Sequence, residues 1–519
     1  MKKLLMQGLL ASLCFLPMAC LADETLDNAS QEELKALVAK GDTGAMLKLA
    51  SKLADVPGKD AEVLKLYQQA ADKGNASAQF LLGFRYEQGA GVKKDTAVAA
   101  KWYQKAAEQG DVNARYFLAG LYLNGDGVEK NVKKAMDWYM TASDQGDAPA
   151  QFSLGLMYDQ GDGVVEDDAA AVEWYRRSAE AGYEAAQHNL GNMYAQGEGI
   201  AENDALAVEW WRKAAEQGSV SAQYQLGLAY AQGEGVEKNT VEAAIWYRKA
   251  AEAGDTNSQN NLGALYKTGD GVVQDAAEAV KWYRKAAEQG EAVSQDNLGD
   301  MYYNGQGVEK NLAIAADWYQ KAAKQGNAYS QYSLGRLYLD GEGVEKNAST
   351  AAEWFRKAAK QGHASAQYNL GLLYKQGNGV KQDYAAAGKW YRKAAGQGSA
   401  EAQNNLGVLY DEGNGFLKDD TAAVGWFRKA AEQGLAVAQY NLATKYAAGR
   451  GVKQDYGAAA AWYRQAAEQD DPDAQFNLGE LYAQGNGVAK SEAEALEWYR
   501  KAAAQDYAPA KEALQKLGG

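Results

Sequence analysis

Cysteine and histidine are nearly absent from this 519-residue sequence. Its only cysteines, Cys14 and Cys20, lie in the N-terminal apolar segment, so the rest of the chain can form no disulfide and no thiolate metal site. The two histidines, His188 and His363, lie too far apart in sequence to form a His-x-x-x-His metal pair. Ser-x-x-Lys and Gly-x-Ser-x-Gly motifs are also missing, which leaves no recognisable nucleophile. We predict no catalytic residue, no metal and no cofactor.

Basic residues are in deficit and proline is rare. The sequence has 54 Lys and Arg but 68 Asp and Glu, which gives a net charge of −14. Such a chain repels phosphate backbones, so we expect no nucleic-acid partner. Only 5 Pro occur, which favours helices, whereas the 56 Gly must be accounted for by regular turns.

The N-terminus has the layout of a secretory signal peptide. Lys2 and Lys3 precede an apolar run from Leu4 to Leu16, followed by Pro17 and small residues ending at Ala22. We predict cleavage after Ala22, export to the periplasm, cell surface or medium, and no transmembrane span in the mature chain. A lipid anchor on Cys20 is the alternative, although Pro17 stands where a lipobox has Leu.

Tryptophan marks a repeat of 36 residues. Twelve of the 13 Trp follow this spacing, beginning with Trp102, Trp138 and Trp174, and only Trp211 does not. Within one unit, Ala78, Leu82, Gly83 and Tyr86 have helical spacing, as do Ala99, Trp102, Tyr103 and Ala106. The period therefore predicts a helical hairpin, helix A followed by helix B, repeated along the chain.

Helix-capping residues define the ends of these helices. Gly89 and Gly91 suit the positive φ of a helix C-cap, and Asp95 and its equivalents are good N-caps for helix B. The Gly-x-Gly turns lack the endings of phosphate or calcium loops, so we interpret them as structural. The residues assigned a structural role are Tyr86, Gly89, Gly91, Trp102, Trp138, Trp174 and Trp246.

We therefore predict an all-α protein, an α/α superhelical solenoid of about thirteen 36-residue helix-turn-helix repeats. Its parts are a signal peptide (1–22), an N-terminal segment (23–40), a degenerate capping repeat (41–73), twelve repeats (74–506) and a C-terminal capping helix (507–519). The Gly that closes each hairpin becomes Asp470 and Asp506 near the end, a change that the sequence does not explain.

The repeated motifs are Ala-Gln-x-x-Leu-Gly-x-x-Tyr, Gly-x-Gly-Val and Ala-x-x-Trp-Tyr-x-Lys-Ala-Ala-Glu-x-Gly, as in 222–254. They resemble the Sel-one-like repeat (SLR) family over nearly all of 41–517. The resemblance implies a tetratricopeptide-like right-handed superhelix. It also implies an adaptor role or, in secreted bacterial members, host interaction, and one branch binds secretory immunoglobulin A. A cysteine-rich branch is linked to penicillin binding, but this chain has no Cys in its repeats.

Variation among the repeats predicts where a partner binds. Two series on helix A vary most, one at Phe80 and its equivalents and one at Phe84 and its equivalents, and in this family helix A forms the concave layer. The predicted binding residues are Phe84, Tyr116, Phe152, His188, Tyr224, Tyr332, Arg336, Tyr368, Tyr440 and Phe476. Alternatively, part of each series packs between neighbouring helices A.

The leading hypothesis is an exported, non-enzymatic and monomeric scaffold that binds a protein or peptide on its concave helix A face. Three alternatives are a virulence protein that binds a host factor such as secretory immunoglobulin A, an enzyme acting on cell-wall or β-lactam substrates, and a lipid-anchored envelope assembly factor.

Overall fold

A computed structural model describes residues 24–516, and every regular element within that range is an α-helix. The predicted signal peptide, with Cys20, lies outside the described residues. The helices are distributed over two compact units, which meet in sequence between Ala253 and Gly254. Helix follows helix in antiparallel hairpins, and the chain is an all-α solenoid, as predicted.

Unit 1 contains fourteen of the described helices. They are α1 (Glu24–Asp27), α2 (Gln31–Ala39), α3 (Thr43–Leu53), α4 (Asp60–Asp72), α5 (Ala76–Gln88), α6 (Thr96–Glu108), α7 (Val112–Asn124), α8 (Val132–Ser143), α9 (Ala148–Gln160), α10 (Asp168–Glu180), α11 (Glu184–Gln196), α12 (Asp204–Glu216), α13 (Val220–Gln232) and α14 (Thr240–Glu252). From α5 onward, odd-numbered helices are helices A and even-numbered helices are helices B.

Unit 2 continues the same alternation. Its described helices are α15 (Thr256–Thr268), α16 (Ala276–Glu288), α17 (Ala292–Asn304), α18 (Leu312–Lys324), α19 (Ala328–Asp340), α20 (Ala348–Lys360), α21 (Ala364–Gln376), α22 (Tyr384–Gly396), α23 (Ala400–Glu412), α24 (Asp420–Glu432), α25 (Ala436–Ala448), α26 (Tyr456–Ala467), α27 (Pro472–Gln484), α28 (Glu492–Ala504) and α29 (Ala508–Lys516).

The predicted N-caps of helices B are confirmed in all twelve repeats. The Asp95 carboxylate, for example, accepts a hydrogen bond of 3.0 Å from the Val98 amide. Helices A have caps of the same kind, such as Asn75, which accepts from the Ala78 amide at 2.9 Å. Each cap satisfies an amide that has no partner within the helix, so the polar residues of the loops fix where the helices begin.

The two glycines of each turn have different roles. Gly89 ends helix A with a left-handed φ of 77°. Gly127, the second glycine of the next turn, also has a positive φ, and a β-carbon there would lie 2.3 Å from the Thr96 carbonyl carbon. The second glycine therefore lets the turn pack on the helix B of the preceding repeat. Asp470 and Asp506 keep the left-handed φ of the hairpin-closing glycine, at 63°, which Asp tolerates better than most residues.

Small residues bring the two helices of a hairpin together. A β-carbon at Gly83 would lie 2.8 Å from the ring of Tyr103 and 3.2 Å from the Ala99 carbonyl oxygen. Tyr103 and Leu82 are fully buried at this contact. The tyrosine of the Trp-Tyr pair is thus the central core residue of the hairpin.

A pair of glutamines, which the sequence patterns did not reveal, connects the two ends of most hairpins. Gln187 is buried at the start of α11 and donates to the Ala179 carbonyl at 3.1 Å. Gln217, just after α12, donates to Gln187 Oε1 at 2.7 Å and to the Gly182 carbonyl at 3.1 Å. Equivalent pairs recur in both units. They satisfy carbonyl groups at the junctions between repeats.

In the part of the chain that the structure describes, no helix combines the length and the apolar character that crossing a bilayer requires.

Candidate binding site

The ten residues predicted to bind a partner lie on helices A of both units. Unit 1 contains Phe84, Tyr116, Phe152, His188 and Tyr224, and unit 2 contains Tyr332, Arg336, Tyr368, Tyr440 and Phe476. Nine of them are half-buried, and Arg336 is exposed. Each unit therefore has its own set of partly exposed helix A side chains, most of them aromatic.

The aromatic members of the first series pack against the second aromatic residue of helix B in the same hairpin. The ring centroids are separated by 5.7 Å in Tyr116–Tyr139, 5.6 Å in Phe152–Tyr175, 6.2 Å in Tyr224–Tyr247, 5.8 Å in Tyr332–Phe355, 5.9 Å in Tyr368–Tyr391, 5.8 Å in Tyr440–Tyr463 and 5.6 Å in Phe476–Tyr499. Sequence reasoning had left open whether these rings line a groove or pack inside. They pack on helix B and still keep part of their surface in solvent.

Phe84 belongs to the second series and lies in a larger aromatic cluster. Its ring centroid is 6.5 Å from that of Phe80 and 5.9 Å from that of Phe117, the latter in an edge-on arrangement. Phe80 is almost completely buried, so only Phe84 of this neighbouring pair keeps substantial exposure.

Polar members of the second series bind buried hydroxyl groups. Tyr319 donates to Asp300 at 2.6 Å and Tyr499 donates to Glu480 at 2.5 Å. Arg336 occupies the equivalent position in a hairpin where the partner is Phe355, which has no hydroxyl. Within the described residues, Arg336 forms no hydrogen bond or ion pair. Its guanidinium is therefore not committed to the fold.

His188 lies in a short polar chain. Its Nδ1 is 3.3 Å from Asn189 Oδ1 and its Nε2 is 3.5 Å from Asn192 Nδ2. Asn192 in turn accepts a hydrogen bond of 3.0 Å from the indole of Trp211. Burial lowers the pKa of His188, so the imidazole is neutral at pH 7. Trp211, the Trp outside the 36-residue series, occupies the core position that is Tyr or Phe elsewhere.

Titration of the aromatic hydroxyls is suppressed by burial. Burial raises the pKa of both Tyr116 and Tyr368, so each keeps its proton at neutral pH and can donate a hydrogen bond. In unit 2, Asp296 replaces the aromatic residue and accepts from the Ser330 hydroxyl. Burial raises the pKa of Asp296 to about 6. The face thus contains neutral hydroxyl donors and one carboxylate that titrates close to neutrality.

The tryptophans lie at the surface end of the core rather than at its centre. Trp102, Trp138 and Trp174 are half-buried, while Trp246 is buried. A Lys or Arg three residues later covers most of these rings. The cation lies 4.1 Å from the ring centroid in Lys105–Trp102, 4.7 Å in Arg177–Trp174, 3.8 Å in Lys249–Trp246, 3.6 Å in Lys321–Trp318 and 4.7 Å in Lys393–Trp390. The Lys of the Trp-Tyr-x-Lys motif thus forms a cation–π contact, which sequence reasoning missed.

Within residues 24–516, no three His, Cys, Asp or Glu side chains lie close enough together to hold a metal ion. The chemistry available on the helix A face is therefore aromatic contact, hydrogen bonding by neutral hydroxyls, and pairing with isolated charges such as Arg336.

Comparison with known proteins identifies the repeat. The family model described as Sel1 repeat matches thirteen consecutive segments, 64–75, 76–111, 112–147, 148–183, 184–219, 220–255, 256–291, 292–327, 328–363, 364–399, 400–435, 436–471 and 472–507. No curated protein matches the chain.

Solved structures include similar chains. A protective antigen present in uropathogenic Escherichia coli strains, which displays an SLR fold, is 39% identical with a TM-score of 0.77, over 88% of this chain and 97% of its own. A Sel1 repeat protein from Oxalobacter formigenes is 35% identical with a TM-score of 0.48, over 60% of this chain and 89% of its own. The chain therefore belongs to the Sel1 repeat family, whose repeats typically form protein-interaction scaffolds.

Proposed function

We propose that this protein is an exported, non-enzymatic scaffold that binds a protein or peptide partner through the helix A face. One observation carries the proposal: hairpin after hairpin holds an aromatic ring half-exposed on helix A by packing it against a buried ring of helix B. Rings fixed in this way lose little side-chain entropy when they bind. Aromatic residues are also enriched at the centres of protein interfaces.

Arg336 adds a polar anchor to this face. It is exposed on α19 in the same helix as Tyr332, and none of its guanidinium donors is used within the described residues. An aromatic ring beside an uncommitted arginine is a combination typical of residues that dominate binding energy. We therefore place the strongest contacts in unit 2, at Tyr332, Arg336 and Tyr368.

Export is supported by two separate observations. The residues from Lys2 to Ala22 have the order of a signal peptide, and the similar Escherichia coli protein is described as a protective antigen. An antigen that protects is accessible to the host. We propose the same exposure for this chain, with cleavage after Ala22. Palmitate labelling that Cys20→Ala abolishes would instead indicate a lipid anchor on Cys20.

The proposal is tested by capture with the mature protein from bacterial envelope extracts and from host secretions. The double variant Tyr332→Ala with Tyr368→Ala should retain its helical circular dichroism and lose most of the captured partner. Asp317→Ala with Glu353→Ala, two exposed positions on helices B, is the matched control and should capture normally. Should the alanine pair disturb folding, Tyr332→Leu with Tyr368→Leu keeps apolar packing and removes the rings.

The source of the captured partner separates the remaining alternatives. A partner from host secretions favours the host-binding virulence protein, and one from the envelope favours an assembly factor. Equal capture by the native protein and the folded Tyr variant would overturn the helix A assignment. Robust nitrocefin turnover by the purified protein would overturn the non-enzymatic assignment.

A further inference from the structure

A second surface with unusual charge lies in residues 354–400, which we call the basic segment. It contains eight Lys and Arg and a single acid, Asp383, for a net charge of +7. Because the whole chain carries −14, the other 472 residues carry −21. The cations are Arg356, Lys357, Lys360, Lys375, Lys381, Lys389, Arg392 and Lys393. The segment is an isolated positive region on a strongly acidic protein.

These cations are not neutralised by the fold. Within the described residues, none of the eight forms an ion pair. Arg356 and Arg392 each donate to a tyrosine hydroxyl of the following helix A, at 3.1 Å and 2.8 Å, and Lys393 lies over the Trp390 ring. These contacts hold the side chains in place without cancelling their charge. Asp383 is committed as the N-cap of α22, where its carboxylate accepts from the Ala386 amide at 2.8 Å.

Two open cavities lie on this segment. One, of about 410 Å³, is lined by Ala386, Lys389, Trp390, Arg392 and Lys393. The other, of about 510 Å³, is lined by Arg356, Tyr374, Val380, Lys381, Gln382 and Asp383. Each contains the arginine of one helix B, from repeats that follow one another. Both cavities therefore present an arginine fork and lysines to solvent.

A flat anionic membrane does not suit this surface. No large apolar side chain of the segment is exposed to enter a bilayer, and the surrounding charge of −21 repels an extended negative surface. A narrow peptide that bears carboxylates can contact these cations without approaching the surrounding acidic surface. Arginine pairs with carboxylates through two parallel hydrogen bonds, and lysine supplies further point charges.

We propose that the basic segment docks an acidic segment of a partner protein, with its carboxylates on Arg356, Lys389, Arg392 and Lys393. Helices pack about 8–10 Å apart, and an extended peptide advances about 3.3 Å per residue, so an Asp or Glu at every third residue matches successive repeats. All four cations lie on helices B, α20 and α22, and this surface goes beyond the helix A site proposed above.

Repeat positions provide a matched control for the test. Lys281 and Lys285 occupy in α16 the same positions as Lys389 and Lys393 in α22, within the same Lys-Trp-Tyr-Arg-Lys sequence. Acids surround them, however: Lys281 pairs with Glu278 at 2.7 Å, and Glu288 stands where α22 has Gly396. Lys285 also lies over its tryptophan, at 3.9 Å from the Trp282 ring centroid.

The experiment measures binding of a fluorescein-labelled oligoglutamate peptide to the mature protein by fluorescence anisotropy at low and moderate salt. The native protein should bind it, more weakly as salt rises. Lys389→Glu with Lys393→Glu should raise Kd by about tenfold or more, because like charges then face the peptide. Lys281→Glu with Lys285→Glu changes the charge equally and should leave Kd nearly unchanged.

Three results would overturn the proposal: no binding at low salt, equal weakening by both double variants, or stronger binding to phosphatidylglycerol vesicles than to the peptide. The variant Tyr332→Ala with Tyr368→Ala should bind oligoglutamate normally, which separates this surface from the helix A site.

Discussion

The backbone of Gly388 lies directly against the ring of Phe416. A β-carbon at position 388 would lie 2.2 Å from Phe416 Cε2. Phe416 stands where other repeats have Val or Ile, and its ring stacks on Tyr410 with centroids 4.8 Å apart. Most equivalents of Gly388 are Ala or Val. A larger residue in one repeat is thus accommodated by a smaller one in the repeat before it.

Gly388→Ala should therefore destabilise the protein, although alanine favours helices. Overpacking costs about 1–3 kcal/mol, and the helix-propensity gain is about 1 kcal/mol. Phe416→Val should remove the overlap, so that adding Gly388→Ala to it becomes stabilising. Urea denaturation of the four proteins in this mutant cycle measures the coupling. Additive effects of the two substitutions would contradict the contact.

The glutamine pairs predict a stabilising substitution at Ala181. Gln151 Oε1 is buried without a hydrogen-bond partner in the described structure, because Ala181 stands where most repeats have the second glutamine. Ala181→Gln should donate to this oxygen, as Gln217 does to Gln187 at 2.7 Å. We expect a gain of about 1 kcal/mol in the free energy of unfolding.

Its control is Gln217→Ala, which creates at Gln187 the defect that the native chain has at Gln151. This variant should be destabilised by about 1–3 kcal/mol. Thermal denaturation followed by circular dichroism compares both with the native protein. A lower denaturation midpoint for Ala181→Gln would show that the pairs do not stabilise the repeat junctions.

Two tyrosines in equivalent positions should respond differently to loss of the hydroxyl. The Tyr391 hydroxyl is buried without a hydrogen-bond partner in the described structure, and Phe355 and Phe427 occupy the same position in neighbouring repeats. Tyr391→Phe should therefore be neutral or slightly stabilising. Tyr319→Phe removes the 2.6 Å bond to Asp300 and should cost about 1–3 kcal/mol. Equal losses in chemical denaturation would contradict the assignment.

His363 should make stability depend on pH. Its Nδ1 accepts a hydrogen bond of 3.2 Å from the Ala366 amide as the N-cap of α21, and its ring stacks on Tyr332 with centroids 4.6 Å apart. Burial lowers the pKa of His363, so the folded state binds this proton less readily than the unfolded state. Its contribution to stability is complete above about pH 6.5 and decreases as the pH falls below that value.

The control is His363→Asn, because Asn327 caps the preceding helix A and accepts from the Ser330 amide at 2.9 Å. Between pH 7.5 and pH 5, the native protein should lose more stability in urea than this variant. Groups shared by both proteins, such as Asp296, cancel in the comparison. Identical pH profiles would show that the His363 cap contributes nothing.

Much of the fold could be predicted because the same residue types recur at equivalent positions in successive repeats. The period, the hairpin and caps such as Asp95 follow from local patterns that the structure confirms. Contacts between the ends of a hairpin and between repeats could not be predicted, since they join residues 30 or more positions apart. Gln217, for example, contacts Gln187 of its own hairpin and the Gly182 carbonyl of the preceding repeat. Compensating changes in side-chain size between repeats, as at Gly388 and Phe416, depend on three-dimensional contact and leave no sign in the repeat pattern.

The candidate site was harder to predict than the fold. Repeat variation located variable positions on helix A but could not distinguish Asp300, which binds a core hydroxyl, from Arg336, which binds nothing in the described structure. That distinction depends on whether the facing residue is Tyr319 or Phe355. The basic segment went unnoticed because the sequence was assessed by its total charge.

The most direct test of the central claim is site-specific photo-cross-linking. A benzoylphenylalanine replaces either Tyr329, exposed on helix A of one hairpin three residues before Tyr332, or Glu353, exposed on helix B of the same hairpin. With envelope extracts or host secretions, we predict a strong cross-linked product from position 329 and little from position 353. A product from position 353 alone, or equal products from both, would contradict binding at the helix A face.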